Sequence, residues 1–191
     1  MNKPLLIVLE GVDGTGKTTL AKRLAASLEG LYLYNPQPPF TNIRKEIEAT
    51  ENFTTRFFYY LAANIAAQAL IEKTLAEGKS VVVDRYIYST FLMHQHLGVD
   101  TSFINMSELP IRWPDLGIVL TTEQEIRGQR LAKSREGTTS YDENIESRKA
   151  MLDKVQNGYK RFCELNEINT SYLTLDQAFE RIIGLIVLST A

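Results

Sequence analysis

Gly11, Gly16, Lys17 and Thr18 have the types and spacing that point most directly to chemistry. They stand in Gly11-Val12-Asp13-Gly14-Thr15-Gly16-Lys17-Thr18-Thr19, which fits the pattern G-x-x-x-x-G-K-[ST]. Glycines let the backbone curl tightly enough for successive N–H groups to face one phosphate chain. A helix that starts inside the motif adds the positive end of its dipole. Lys17 is then expected to reach the outer phosphates as a point charge, and Thr18 to offer its hydroxyl to Mg²⁺. Gly11 to Thr19 is therefore the candidate ATP-binding segment.

Asp84 is the second candidate. The run Ser80-Val81-Val82-Val83-Asp84 reads as a buried strand that ends in a carboxylate. A rigid strand delivering a carboxylate to the sheet edge is what a second Mg²⁺-supporting group needs. Arg85 follows at once. Neighbours on an extended segment point in opposite directions, so Asp84 can face a metal while Arg85 faces another ligand. A simple surface ion pair between the two is the bland alternative. Arg56, Tyr60 and Asn64 recur at a spacing of four and share one helix face. Arg127, Arg130, Lys133 and Arg135 cluster within nine positions. They read either as a solvated helix end or as a basic lid, over about 133–142, that brings an arginine to the transferring phosphoryl group. His94 and His96 have no evident partner, and no catalysis is assigned to them.

These residues need a scaffold. Leu5 to Leu9 is an apolar run of strand length, and Leu20, Leu24, Ala25 and Leu28 mark a helix after the loop. Further strands are expected at Leu31–Tyr34, Ser80–Asp84, Leu116–Leu120 and Ser171–Leu175. One long helix is expected over Asn52–Glu77 and another over Glu143–Glu167, with shorter ones containing Ile43–Ile47, Ile87–His96 and Ile126–Leu131. Thr41, Thr122 and Asp176 are the expected helix caps. Strands alternating with helices imply an α/β fold: a five-stranded parallel sheet with helices on both faces, in three layers. Ala62, Ala63, Ala66 and Ala67 would permit close approach of a neighbouring helix or an identical subunit.

One domain, residues 1–191, is expected from this length. Hydrophobic residues make up 44% and charged residues 23%, as in an ordinary globular protein. The net charge of −2 argues against a general binder of nucleic-acid polymers, which would be basic. Cys163 is the only cysteine, so no intrachain disulfide can form. Its neighbours Phe162 and Leu165 suggest burial. No signal segment or membrane span is evident, which favours a cytoplasmic location.

The loop Glu10 to Thr19, the segment Asp84-Arg85-Tyr86 with Ser89 and Thr90, Pro114-Asp115-Leu116 and the basic lid stand in an order that resembles the thymidylate kinase family of P-loop nucleoside monophosphate kinases. The likeness covers nearly the whole chain. It implies a P-loop NTPase fold, Mg²⁺, and transfer of the ATP γ-phosphoryl group to a nucleoside monophosphate. By the same resemblance, Lys17 and the loop amides hold donor phosphates, Thr18 and Asp84 hold Mg²⁺, and Asp13 approaches the acceptor sugar. Arg85 takes the acceptor phosphate and Tyr60 stacks on the acceptor base. Asn64 and Ser89 are further acceptor-site candidates, and Arg44 and Arg56 are candidates to replace arginines that the family carries elsewhere. Some members carry an arginine at the position of Gly14. Its absence leaves Arg130 and Arg135 to supply the transition-state cation, a contribution worth about 10³–10⁵ in rate. The family also implies a homodimer.

The chain departs from the family at Gln37-Pro38, where an R-E-P-like segment is usual, and at Asn64, where arginine is usual. In many bacterial members a glutamine reads the base where this chain has Phe91 to His94. The Tyr60–Asn64 stretch and the Pro-Pro loop resemble mitochondrial-type UMP-CMP kinases. The expected reaction is dTMP to dTDP. The alternatives are another pyrimidine monophosphate (UMP, CMP, dCMP or dUMP), a deoxynucleoside with Asp13 or Glu10 as base, or a nucleotide-binding regulatory module without turnover.

Overall fold

The computed structural model describes residues 3–134 and 145–190. Its elements in chain order are β1 (Leu6–Glu10), α1 (Lys17–Ser27), β2 (Leu31–Tyr34), α2 (Arg44–Ala49), α3 (Phe53–Ala66), α4 (Gln68–Ala76) and β3 (Val81–Asp84). They continue with α5 (Ile87–His96), β4 (Leu116–Thr121), α6 (Gln124–Ser134), α7 (Ile145–Gly158), β5 (Leu165–Asn169) and α8 (Leu175–Thr190). The sheet runs β2-β3-β1-β4-β5, parallel throughout.

β1 is central, and all five of its residues are buried. A strand covered on both faces needs a continuous apolar run, which Leu6-Ile7-Val8-Leu9 supplies. Leu6 and Val8 pack with Phe57, Ile71, Phe91 and Val155 from the helices on one face. Ile7 and Leu9 point the other way, against Leu20 and Leu24 of α1 and Phe179 and Ile182 of α8. Each such side chain contributes about 1.5–3 kcal/mol by leaving water. The three-layer α/β architecture is therefore as expected. The carboxyl ends of β1, β3 and β4 fall along one edge of the sheet, where open α/β sheets bind ligands.

Several local expectations are corrected. The fifth strand is Leu165–Asn169, not Ser171–Leu175. It pairs only with β4 and lies at the sheet edge, and Ile168 alone is buried, so it carries no apolar run to read. The helix over 52–77 is two helices, broken at Ala67. There the Gln68 side chain donates to the Asn64 carbonyl at 2.7 Å, taking the acceptor that a continuous helix would give to the Gln68 backbone N–H. The helix over 143–167 is α7 with a 3₁₀ turn at Tyr159–Arg161, and Phe162 then leaves it extended.

The caps differ as well. α2 starts without a side-chain cap, and Thr41 instead donates to the Pro36 carbonyl at 2.6 Å. Thr122 contacts Thr170 rather than capping α6. Thr174 and Gln177, not Asp176, cap α8: the Thr174 N–H donates to Gln177 Oε1 at 2.9 Å, and the Gln177 N–H to Thr174 Oγ1 at 3.2 Å. Asp176 pairs with Arg23 instead. Cys163 is exposed, not buried. Ala63 and Ala67 are buried within the chain, while Ala62 and Ala66 are exposed on α3. Among the described residues, no helix is long and apolar enough to cross a membrane.

Candidate active site

The loop between β1 and α1 is held in shape by its glycines. Gly11 has φ +136°, and a Cβ there would lie 2.5 Å from the Leu120 carbonyl oxygen on β4. Gly16 precedes α1 with φ +91° and provides no side-chain cap, so the first N–H groups of the helix face the loop's interior. Thr15 Oγ1 donates to the Val12 carbonyl at 2.9 Å, and Thr170 Oγ1 to the Thr15 carbonyl at 3.0 Å. Gly14 is close-packed too: a Cβ there would lie 2.7 Å from Arg127 Cγ. The stem of buried Arg127 thus fills the space beside Gly14, and its Nη2 pairs with Asp153 of α7 at 2.6 Å.

Lys17 and Thr18 converge on Asp84. Lys17 Nζ lies 3.2 Å from Asp84 Oδ1, and Thr18 Oγ1 donates to Asp84 Oδ2 at 2.6 Å. Tyr32 of β2 donates to the same Oδ2 at 3.3 Å, a contact that no local motif announces. Burial, then the nearby Arg85 charge, push the Lys17 ammonium below its usual pKa, while Asp84 and Asp13 oppose the shift. Thr18 and Asp84 present only oxygen donors, as a hard divalent cation prefers. Among the described residues, Asp84 Oδ1 has the Lys17 ammonium as its close partner, and the Arg85 charge also acts on the carboxylate.

Arg85 turns away from Asp84, but not by strand alternation: β3 ends at Asp84, and Arg85 leaves the sheet with φ +70°. Its Nη2 bonds Asp13, and its Nη1 donates to the Gly11 carbonyl at 3.2 Å. Burial works against its charge, but Asp13, Tyr159, Glu10 and Asp84 together outweigh that, and the guanidinium is held above its ordinary pKa. Glu10 is fully buried and lines neither cleft. Its oxygens accept from the Tyr86 N–H at 2.9 Å, the Ser89 N–H at 3.2 Å and the Tyr159 hydroxyl at 3.0 Å. With its oxygens so engaged, Glu10 is not placed to act as a base on a ligand.

Two clefts open from this junction. A cleft of about 560 Å³ runs along the loop from Val12 to Leu20 and on to Arg130, Leu173, Leu175 and Ala178. Arg130 donates to the Thr170 carbonyl at 2.7 Å and to Thr170 Oγ1 at 3.1 Å. A second cleft, of about 800 Å³, is lined by Arg44, Arg56, Tyr60, Asn64, Arg85 and Ser89, among others. Val12 and Asp13 line both.

The second cleft brings together every expected acceptor-side residue. Tyr60 donates to Glu48, which also accepts from Arg44 Nε at 2.8 Å. Burial raises the Glu48 pKa, but these partners outweigh it and hold the carboxyl below its usual range. Asn64 Nδ2 donates to the Tyr60 carbonyl at 2.8 Å and to Thr90 Oγ1 at 3.0 Å. His94 is buried in the wall, with Nδ1 2.7 Å from the Thr90 carbonyl. That carbonyl only accepts, so Nδ1 carries the proton, and burial keeps the ring's pKa below its ordinary value.

Sequence reasoning missed Tyr32, Glu48 and His94 as site residues. Each reaches the site from an element whose placement only the tertiary fold decides. That Asp84 and Arg85 face different partners was legible, but a left-handed turn at Arg85, not extended alternation, separates them. Arg135 and nearly all of the segment 133–142 lie outside the described residues.

Comparison with known proteins matches residues 9–182 to the family described as thymidylate kinase. A probable thymidylate kinase of Metallosphaera sedula is 32% identical over 158 residues, covering 81% of this chain and 76% of that protein. A probable thymidylate kinase of Methanocaldococcus jannaschii is 29% identical over 187 residues, 94% of each chain. Among solved structures, thymidylate kinase from Candida albicans superposes with a TM-score of 0.74 at 19% identity, covering 98% of this chain and 93% of that one. The Ehrlichia chaffeensis thymidylate kinase gives 0.74 at 17% identity, over 96% and 98%. At these identities the two structures speak for the fold.

Proposed function

The chain belongs to the thymidylate kinase family, and from that premise we propose that it transfers the γ-phosphoryl group of ATP to dTMP, giving dTDP and ADP. The observation that carries this reading is the meeting of the two clefts at Val12 and Asp13, with Lys17 on the loop side and Arg85 in the second cleft. Such an arrangement suits two phosphorylated ligands placed end to end.

Lys17 and the loop N–H groups hold the donor phosphates, and Lys17 exchanges its Asp84 partner for them. Thr18 and Asp84 would hold Mg²⁺, which when bound neutralises phosphate charge. Arg85, helped by Arg44 and Arg56, holds the acceptor phosphate, and Tyr60 faces the base. A dTMP oxygen forms a bond to Pγ as the Pγ–O bond to the β-phosphate breaks, and the electron pair leaves on ADP. A monophosphate has its second pKa near 6, so its oxygen is already anionic at pH 7 and needs no side-chain base. The full engagement of Glu10 fits that economy and removes one of the two candidate bases for a sugar-hydroxyl acceptor.

Of the two arginines proposed as the transition-state cation, Arg130 lines the donor cleft. Arg135 is the other. The reading includes a single kinase domain, a lid over 133–142, a cytoplasmic location and a homodimer. Exposed Phe58 and Leu70, with Ala62 and Ala66, support a subunit contact along α3 and α4. ADP release measured against a panel of acceptors tests the central reaction.

A further inference from the structure

Glu10 and Asp84 are the two carboxylates with no exposed surface among the described residues. Phosphoryl transfer has a task for Asp84 and none for Glu10. We propose that Glu10 is a positioning residue: it pins the backbone around Arg85 to the strand that carries the phosphate loop, and so sets the acceptor-phosphate arginine relative to Lys17. The proposal rests on the kinase reading for its functional half.

Arg85 is the point at which the chain leaves the sheet. Its φ is +70°, a left-handed conformation that a non-glycine residue keeps only when its surroundings hold it. Both peptide units flanking its Cα are tied to β1. The Arg85 N–H donates to the Leu9 carbonyl at 3.0 Å, the last rung of the ladder between β1 and β3. The Tyr86 N–H, the next in line, donates to the Glu10 side chain at 2.9 Å. The same Oε1 accepts from the Ser89 N–H, an otherwise unpaired donor in the first turn of α5. Tyr86 makes no side-chain cap of its own, so a strand residue 76 positions away caps this helix.

Tyr159, at the end of α7, holds the other carboxylate oxygen at 3.0 Å. Gly11, the residue after Glu10, accepts the Arg85 guanidinium through its carbonyl. Thus consecutive residues of one strand end hold both the backbone and the head group of Arg85. The phosphate loop and the acceptor arginine share one rigid origin.

The test compares Glu10→Ala, Glu10→Gln and each combined with Arg85→Ala. Glutamine keeps an oxygen for both N–H groups but loses the charge that makes such bonds about twice as strong. Removing the cap by Glu10→Ala is expected to raise KM for dTMP about tenfold or more, with ATP affinity within about twofold. Glu10→Gln is expected to raise it about two- to fivefold, and it keeps the test open should the alanine variant not fold. In the Arg85→Ala background, either change is expected to add less than about twofold. Independent, multiplying losses in that background would overturn the proposal, as would an equal loss of ATP affinity or an unchanged dTMP KM in Glu10→Gln.

Amide hydrogen exchange supplies an arm that needs no turnover. The Tyr86 and Ser89 amides are expected to exchange at least about tenfold faster in Glu10→Ala, with much of the protection kept in Glu10→Gln and the Val82 and Val83 amides unchanged. Unchanged exchange at Tyr86 and Ser89 overturns the proposal. Faster exchange there, in a protein that does not phosphorylate dTMP, upholds the pinning by Glu10 and overturns the kinase reading instead.

Discussion

The ammonium of Lys17, at the start of α1, lies 3.2 Å from Oδ1 of Asp84, at the end of β3. The cation and the carboxylate neutralise each other. Both are buried, and each limits the cost of burying the other. On the proposed kinase reading, a phosphate would offer Lys17 a new anion and leave Asp84 to a cation.

Lys17→Ala is expected to lower turnover by about 10³ or more, because a preorganised charge at the transferring phosphate is lost. The fold should persist, since Thr18 and Tyr32 still donate to Asp84. Removing one partner of a buried ion pair costs about 3–5 kcal/mol, and those two donors should reduce the loss to about 1–3 kcal/mol. Steady-state kinetics and urea melts check both halves. Near-normal turnover would remove Lys17 from the reaction.

Arg85→Ala should act on the acceptor side. KM for the acceptor should rise and kcat fall, while ATP affinity moves by less than about threefold. The charge of Asp13 then loses its guanidinium partner, so Arg85→Lys should recover only part of the loss, a point charge being a poor substitute for a fork. Acceptor kinetics that stay unchanged would contradict the placement.

Gly11→Ala introduces a methyl group 2.5 Å from the Leu120 carbonyl oxygen, at a φ of +136° that other residues avoid. The obstacle is backbone in a central strand, which cannot swing aside. Backbone strain alone costs about 1–3 kcal/mol, and the clash adds to it. Both Tm and ATP affinity should fall. By contrast, Gly128→Ala, inside α6, meets nothing within 4 Å; it should leave ATP affinity unchanged and stabilise the fold by about 0.5–1 kcal/mol.

His94 should make stability depend on pH below neutrality. Burial depresses its folded pKa, helped by Arg56 and opposed by the Thr90 carbonyl. The unfolded chain therefore binds more protons than the folded one as pH falls from the ordinary value of 6.5 toward the folded value. Stability present above about 6.5 should be lost through that window, at a rate of up to about 1.4 kcal/mol per pH unit. Urea melts from pH 7.5 to 5.5 should show this slope in the wild type and a shallower one in His94→Gln. Equal slopes would assign the effect elsewhere.

The strand–loop–helix geometry from β1 to α1 was legible because its signals are local. An apolar run, a glycine-spaced loop and a helical period are read directly, and the loop geometry follows from them. The acceptor face was legible in part, since Arg56, Tyr60 and Asn64 lie on one helix. Glu48 and His94 were not, because each meets Tyr60 only once α2 and α5 pack beside α3. β5 escaped notice because an edge strand with one buried side chain resembles a loop. The break at Ala67, beside which the Gln68 side-chain amide bonds the Asn64 carbonyl, leaves no mark in the periodicity.

The central claim is that dTMP is the acceptor, and ADP release with ATP, Mg²⁺ and each of dTMP, dUMP, UMP, CMP, dCMP and thymidine tests it most directly. The predicted result is a kcat/KM for dTMP at least about tenfold above every other acceptor, a difference of about 1.4 kcal/mol in transition-state binding. A higher kcat/KM for UMP, CMP or thymidine, or ADP release that needs no acceptor, would contradict it.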